Sequence, residues 1–90
     1  MIIDVRLRNT FDNEDNLKAL FSLTLDNSIA IHDIKLIQKR DGGLFVAFPN
    51  RKDKEGNYRD IVHPINEVSR KEIVDSIFEA YNNHKPQETL

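Results

Sequence analysis

Two stretches near the start of the chain alternate apolar and polar side chains with a period of two. Apolar and charged residues alternate from Ile3 to Leu7, and apolar residues occupy the odd positions from 17 to 25. This period is typical of a β-strand with one buried face. The two stretches therefore predict a sheet that covers a core on one side, with polar turns at 12–16 and 26–28.

The next apolar stretch changes phase in its middle. Ile29 and Ile31 are at odd positions, whereas Ile34 and Leu36 are at even ones. A regular strand would place these two pairs on opposite faces of the sheet. One extra residue at 32–33 restores them to one face, so the sequence predicts a β-bulge there. The alternative is that both faces of the strand are covered at this point.

A continuous apolar run from Leu44 to Phe48 predicts a short strand that is covered on both faces. Pro49 ends the strand, because proline has no N–H to donate to a central ladder. The charged residues that follow include Gly56, which adopts a positive φ without strain in a turn. Residues 58–62 then resume as a strand, so we expect a hairpin with a wide, charged end.

The last element is predicted to be an amphipathic helix. Its apolar stripe recurs at three- and four-residue spacing and consists of Ile73, Val74, Ile77, Phe78 and Tyr81. Ser69 and Glu72 have the spacing of a capping box, which predicts that Ser69 is the N-cap. Asn66 is the alternative N-cap, three residues earlier.

Length and composition indicate one small domain. Ninety residues are too few for two separate cores, so we expect a single domain over residues 1–84 and a flexible tail at 85–90. The elements predict an α+β fold: an antiparallel sheet of about five strands with a C-terminal helix. The absence of cysteine excludes disulfides and thiolate zinc sites. No stretch approaches the roughly 18 apolar residues of a membrane span, so we expect a cytoplasmic protein without a membrane partner.

Charge is unevenly distributed along the chain. The formal net charge is −2, yet residues 35–59 contain seven basic and three acidic side chains, a local charge of +4. A basic middle on an acidic body permits nucleic-acid binding. The competing interpretation is that mixed charge on an exposed loop is solvated surface, which is the commoner case.

No pattern of catalytic residues is visible. The histidines His32, His63 and His84 lie on different predicted elements and lack metal-ligand spacing. The Gly42–Gly43 pair precedes a strand, whereas glycine loops that bind phosphate precede helices. We therefore expect a protein that is not an enzyme and has no cofactor, metal or small-molecule substrate.

Basic side chains are the remaining candidates for function. Arginine makes bidentate contacts with phosphate, and three basic residues lie at the shoulder of the predicted hairpin. Arg70, in the first predicted turn of the helix, opposes the helix dipole, and a bound anion would relieve this cost. Pairing with Glu67 or Asp33 would relieve it equally. The candidate nucleic-acid-binding residues are Arg51, Lys52, Lys54 and Arg70.

Several motifs follow one another in a specific order: TLD at 24–26, IHDI at 31–34, GLFVA at 43–47 and RDIVHPIN at 59–66. In this the sequence resembles the SpoVG family (stage V sporulation protein G, also called septation protein). The resemblance extends over nearly the whole chain.

The resemblance implies a small bacterial cytoplasmic regulator that binds DNA, and in some relatives RNA, and affects sporulation, septation and gene expression. It also implies an antiparallel sheet with a C-terminal helix that forms a homodimer. The family's basic cluster corresponds here to Asn50, Arg51 and Lys52, and its helix arginine corresponds to Arg70. Because the run 44–48 is too apolar to lie exposed on a monomer, we expect this edge or the following hairpin to form the dimer interface.

The sequence departs from the usual family pattern within the hairpin. Where many relatives have threonine and proline, this chain has Asp53 and Lys54, so a carboxylate lies beside the expected phosphate contacts. We expect a more flexible hairpin and a sequence preference of its own. The alternative function is a non-enzymatic protein-interaction module that acts on a cell-division or regulatory partner, with the hairpin as solvated surface.

Overall fold

The computed structural model describes residues 1–11 and 16–84, which contain six strands and one helix. The elements are β1 (Ile3–Thr10), β2 (Leu17–Leu25), β3 (Ile29–Gln38), β4 (Leu44–Ala47), β5 (Asn50–Lys52), β6 (Tyr58–Asp60) and α1 (Glu67–His84). The predicted turn at 12–16 lies mostly outside the described residues, and the expected tail at 85–90 lies wholly outside them. The predicted α+β class is confirmed.

The first four strands form one antiparallel sheet in the order β1-β2-β3-β4, and the last two strands form a sheet of their own. The strand count exceeds the expected five because residues 50–52 form a further strand, β5, that pairs with β6. Alternation in the first sheet is as predicted: Ala19, Phe21 and Leu23 are buried on the face that covers the core. The β1 and β4 strands form the two edges of this sheet.

The predicted β-bulge is present in β3. Phe21 pairs with Ile34 and Leu23 pairs with Ile31, so Ser22 lies opposite the two residues 32–33. Asp33 has a φ of 63°, a left-handed conformation that aspartate tolerates better than most residues. The Ser22 hydroxyl lies 3.1 Å from Nδ1 of His32. The bulge places Ile31 on the core face together with Ile34 and Leu36, while Ile29 at the start of the strand remains exposed.

Two further bulges were not predicted. The register shifts between Leu7 and Asn9 in β1, and again between Leu17 and Ala19 in β2. The first site lies beyond the alternation 3–7, and the second lies at the start of the alternation 17–25, where the apolar residues keep their odd positions, so no phase change marks either site. Bulges increase the local twist of a sheet, and three of them help this sheet to curl over its single helix.

The hairpin between β2 and β3 closes with a tight turn. Asp26 and Asn27 have φ values of 51° and 55°, and the Ser28 amide donates to the Leu25 carbonyl at 2.9 Å. Two consecutive positive φ values indicate a type I′ turn, whose twist matches that of the flanking strands. The Asp26 carboxylate also accepts from the Ile2 amide at 2.7 Å, which ties the start of β1 to this turn.

The helix packs its apolar stripe against the sheet. Ile73 and Ile77 are buried, and Phe78 and Tyr81 are half-buried beside them. The buried core consists of Ala19, Phe21, Leu23, Ile34, Leu36, Phe48, Ile73 and Ile77. Among the described residues, no helix is both long and apolar enough to span a membrane.

The helix begins three residues earlier than it would if Ser69 were the N-cap. The side-chain oxygen of Asn66 accepts from the Ser69 amide at 2.8 Å, and the helix starts at Glu67. Asn66 is therefore the N-cap, and the prediction of Ser69 as the cap is wrong. An amide oxygen at position 66 satisfies the N–H of the third helical residue, which is the usual geometry of an N-cap.

The apolar run of β4 is covered on one face only within the single chain. Phe48, just beyond the strand, is buried in the core, whereas Phe45 on the edge strand remains 40% exposed. The expectation that both faces are covered is therefore wrong for the isolated chain. Leu44 and Val46 pack against the core from one face of β4, and within the described residues the opposite face is left open at Phe45.

Candidate nucleic-acid interface

A two-stranded ribbon, residues 50–60, extends the chain beyond the edge strand β4. Each residue of β5 and β6 is exposed, and these two strands pair with each other rather than with the larger sheet. Pro49 separates the ribbon from β4, while its carbonyl accepts from the Ile61 amide at 2.7 Å. This bond closes the base of the ribbon. The ribbon is thus tied at its base and accessible to a large ligand along its length.

The two faces of the ribbon carry different side chains. Arg51 pairs with Arg59, and Lys52 pairs with Tyr58. Residues directly opposite in an antiparallel pair share a face, and neighbours along a strand point to opposite faces. Arg51 and Arg59 therefore form one face, and Lys52 and Tyr58 form the other. The candidate residues Arg51 and Lys52 do not project in the same direction.

Asp53 neutralises one of the two facing arginines. Its Oδ2 accepts from Nε of Arg59 at 2.8 Å, and its Oδ1 accepts from the backbone amides of Glu55 and Asn57, each at 2.9 Å. Like charges directly opposite in a sheet repel, and Asp53 offsets this repulsion. The ion-pair partner of Arg59 is thus Asp53 and not Asp60, its neighbour in the sequence.

These contacts lower the pKa of Asp53 below its ordinary value. The hydrogen bond from Arg59 is the largest cause, followed by the amide of Asn57. Each contact favours the charged carboxylate over the protonated acid. The loop at 53–57 therefore keeps its carboxylate ionised at neutral pH. Gly56, with a φ of 86°, allows the chain to turn tightly around it.

The remaining cations of the ribbon differ in their surroundings. Within the described residues, Arg51 and Lys54 have neither a hydrogen-bond nor an ion-pair partner from their side chains. The ammonium of Lys52 lies 5.7 Å from the centre of the Tyr58 ring, which is a cation–π contact. An open depression is lined by these three cations together with Asp53, Arg59, Asp60 and Ile61. The three cations thus lie around the same part of the ribbon, although Arg51 and Lys52 project from its opposite faces.

Arg70 belongs to a different part of the surface. It lines a shallow depression with residues 63–67, and its guanidinium lies 3.4 Å from the Pro64 carbonyl. Because the N-cap is Asn66, Arg70 is in the second helical turn rather than the first. The argument from the helix dipole therefore no longer applies to it. Neither Glu67 nor Asp33 forms an ion pair with Arg70 among the described residues.

Comparison with known proteins identifies the family of the chain. A family model described as SpoVG matches residues 1–83, which is nearly all of the chain. The chain belongs to the SpoVG family. The resemblance in the TLD, IHDI, GLFVA and RDIVHPIN motifs is thereby confirmed.

Three relatives illustrate the similarity, each named "Putative septation protein SpoVG". The protein from Bdellovibrio bacteriovorus is 55% identical over 69 residues, which cover 77% of this chain and 63% of the relative. The protein from Lachnoclostridium phytofermentans is 49% identical over 80 residues, 89% of this chain and 84% of the relative. The protein from Thermoanaerobacter sp. is 44% identical over 87 residues, 97% of this chain and 92% of the relative.

Sequence reasoning missed two residues that shape the ribbon of this SpoVG chain. Asp53 was noted only as a charge beside the phosphate contacts, although aspartate three residues before glycine is a common signal for a side chain that caps its own turn. Tyr58 was taken as an ordinary strand residue. Its pairing with Lys52 depends on the register of the hairpin, which the sequence alone leaves open.

Proposed function

We propose that this SpoVG-family protein is a non-enzymatic, dimeric regulator of the bacterial cytoplasm that binds DNA, and also RNA, through the ribbon at residues 50–60. The observation that supports it most is the exposure of this basic ribbon, where Arg51 and Lys54 have no internal partner among the described residues. The regulated processes are septation and sporulation, together with the expression of other genes. The names of the relatives support the link with septation.

The shape of the ribbon suits a nucleic-acid groove. The major groove of B-DNA is about 12 Å wide and admits a two-stranded β-ribbon. A ribbon of two strands that protrudes without helical cover has this form. Exposed arginine and lysine side chains on it supply phosphate contacts, which fix position on the nucleic acid without reading sequence. Arg70, in its separate depression, is proposed as an outlying phosphate contact.

Pairing of two copies would strengthen such binding. The β4 edge presents unpaired backbone groups next to the exposed ring of Phe45, and such an edge is a template for another strand. We propose that two chains meet there. Each ribbon begins three residues after β4 ends, so this dimer would hold two ribbons near one interface and engage nucleic acid at two points.

Electrophoretic mobility shift with random duplex DNA and random RNA tests the proposal. We expect both to shift at micromolar protein in low salt and more weakly at physiological salt, because phosphate contacts release counterions. The double variant Arg51→Ala with Lys52→Ala should shift the nucleic acids least. The double variant Lys39→Ala with Arg40→Ala removes the same charge outside the ribbon and serves as its control. Absence of any shift at low salt would overturn the proposal.

A second candidate function is a protein-interaction module that acts on a cell-division or regulatory partner. The observation that favours it is an apolar cleft of about 190 Å³ between the sheet, the segment 62–65 and the start of α1. Ile65, which lines this cleft, is 86% exposed. A pulldown that survives high salt and is lost in Ile65→Asp, without any nucleic-acid shift, would favour this candidate.

A further inference from the structure

We infer that the Lys52–Tyr58 face of the ribbon is a stacking site for an unpaired base of single-stranded nucleic acid. This rests on the proposed function and specifies its ligand. The opposite face, with Arg51, makes phosphate contacts that duplex and single strand share. The Tyr58 ring therefore requires an unstacked base, whereas the charges of Lys52 and Arg51 contact phosphates of duplex and single strand alike.

The exposure of Tyr58 is the first observation. Its side chain is 71% exposed, more than that of any other aromatic residue that the structure describes. The aromatic rings Phe21 and Phe48 are buried in the core, and Phe45 is 40% exposed at the sheet edge. A large ring on a three-residue strand with no cover contributes little to the fold. Its apolar area is available to a ligand.

The position of Lys52 is the second observation. Its ammonium lies 5.7 Å from the centre of the Tyr58 ring, on the strand opposite. Cation and ring therefore lie together on one face of the ribbon. A base that stacks on the exposed ring has its own phosphate within the reach of a long lysine side chain. The ring of Tyr58 thus suits the base of a nucleotide, and the ammonium of Lys52 suits its phosphate.

The chemistry of stacking selects a single strand. In a duplex both faces of each base are covered by neighbouring base pairs, so only edges and phosphates are accessible. In a single strand the bases splay out and stack on aromatic side chains, which is sequence-tolerant because each base has a π face. Lys52 contributes the cation that such sites place beside the ring. Loss of the Tyr58 ring is therefore expected to weaken binding of single-stranded nucleic acid and not of duplex.

Binding of three ligands by fluorescence anisotropy tests the inference. The ligands are a labelled oligodeoxythymidine of about 16 nucleotides, an abasic strand with the same number of phosphates, and a duplex of the same length. We expect Tyr58→Leu to weaken binding of the oligodeoxythymidine by about 5- to 150-fold, the usual effect of losing one stacked base. Binding of the abasic strand and the duplex should stay within about threefold, since neither offers a base to the ring.

Two control variants separate stacking from folding. Tyr58→Phe keeps the ring and should bind the oligodeoxythymidine within about twofold of the unaltered protein, because stacking needs no hydroxyl. Val68→Ala removes apolar surface from a side chain that is also 71% exposed but lies on α1, and it should have no effect.

Tyrosine fluorescence of the unaltered protein is an independent readout, since the chain has two tyrosines and no tryptophan. Oligodeoxythymidine should quench it, and the abasic strand should not.

The outcomes distinguish the inference from the proposed function. If the unaltered protein binds none of the three ligands, the proposed function fails. The stacking site is wrong, while nucleic-acid binding stands, in either of two cases. In the first, the unaltered protein binds the ligands but Tyr58→Leu has no effect on binding; in the second, Tyr58→Leu weakens binding of the abasic strand as much as binding of the oligodeoxythymidine. If Tyr58→Leu disturbs the fold, quenching in the unaltered protein decides: equal quenching by both single strands, or none by either, overturns the stacking site.

Discussion

Asp53 is the residue on which the conformation of the ribbon tip depends most. Its two carboxylate oxygens accept three hydrogen bonds, one from Arg59 and two from backbone amides of the loop. The carboxylate therefore holds the turn at residues 53–57 in place. It also neutralises Arg59, so the positive charge that remains on that face belongs to Arg51. A substitution at one position thus alters both the shape and the charge of the ribbon.

The titration of Asp53 follows from these contacts. Its pKa is lowered from 3.8 in the folded protein, so the contacts stabilise the fold above that pH and are lost as pH falls through the lower folded value. We expect a carboxyl NMR titration to give a midpoint below 3.8 for Asp53. In Arg59→Gln the midpoint should rise, because Arg59 is the largest cause of the shift. A midpoint at or above the ordinary value in the unaltered protein would contradict this geometry.

At the scale of elements, the regular strands and one bulge could be predicted from the sequence, because apolar alternation and its change of phase report directly on which residues share a face. It could not be predicted that the ribbon would form a sheet of its own. A strand pattern does not say which strands pair, and β6 had as much apparent reason to join the larger sheet. The diagonal contact between Asp53 and Arg59 depends on the same unknown register.

The start of α1 is a second element whose sequence signals competed. Asn66 and Ser69 are both good N-caps, and the capping-box spacing favoured Ser69. In the structure the Asn66 side chain accepts from the Ser69 amide, which identifies Asn66 as the N-cap. The candidate site was likewise predictable only in part. Its basic residues were visible in the sequence, whereas the directions in which they project were not.

Substitution of each cap distinguishes the two directly. Asn66→Ala should destabilise the protein by about 1 kcal/mol, because the Ser69 amide loses its acceptor. Ser69→Ala keeps its own backbone N–H and should change stability by less than about 0.5 kcal/mol. Urea unfolding followed by circular dichroism measures both. A larger loss for Ser69→Ala than for Asn66→Ala would show that the helix begins later than described.

At the scale of the whole molecule, the proposed function depends on how two copies of the ribbon would be arranged. One ribbon offers few phosphate contacts, and its acidic residues offset part of its basic charge. Two ribbons in a symmetric dimer double the contacts and hold the second close to the nucleic acid once the first is bound. The exposed edge at β4, next to the start of each ribbon, is the interface that we propose.

Phe45→Lys tests this interface. A charge on the exposed ring position of the edge strand should block strand pairing between copies, since edge lysines prevent such contacts. We expect light scattering to give twice the mass of one chain for the unaltered protein and the mass of one chain for the variant. Ile29→Lys, at another exposed apolar position, is the control and should remain dimeric. A monomeric unaltered protein would contradict the proposed dimer.

The salt dependence of nucleic-acid binding tests the central claim most directly. Each phosphate neutralised contributes a slope of about −0.9 to log K against log salt on B-DNA. Arg51→Ala with Lys52→Ala should therefore weaken binding to all sequences and flatten the slope by about 2 for each protomer engaged. Lys39→Ala with Arg40→Ala removes the same charge outside the ribbon and should leave the slope unchanged. A slope unaltered by the ribbon substitutions, or flattened equally by the control, would contradict the claim that the ribbon binds nucleic acid.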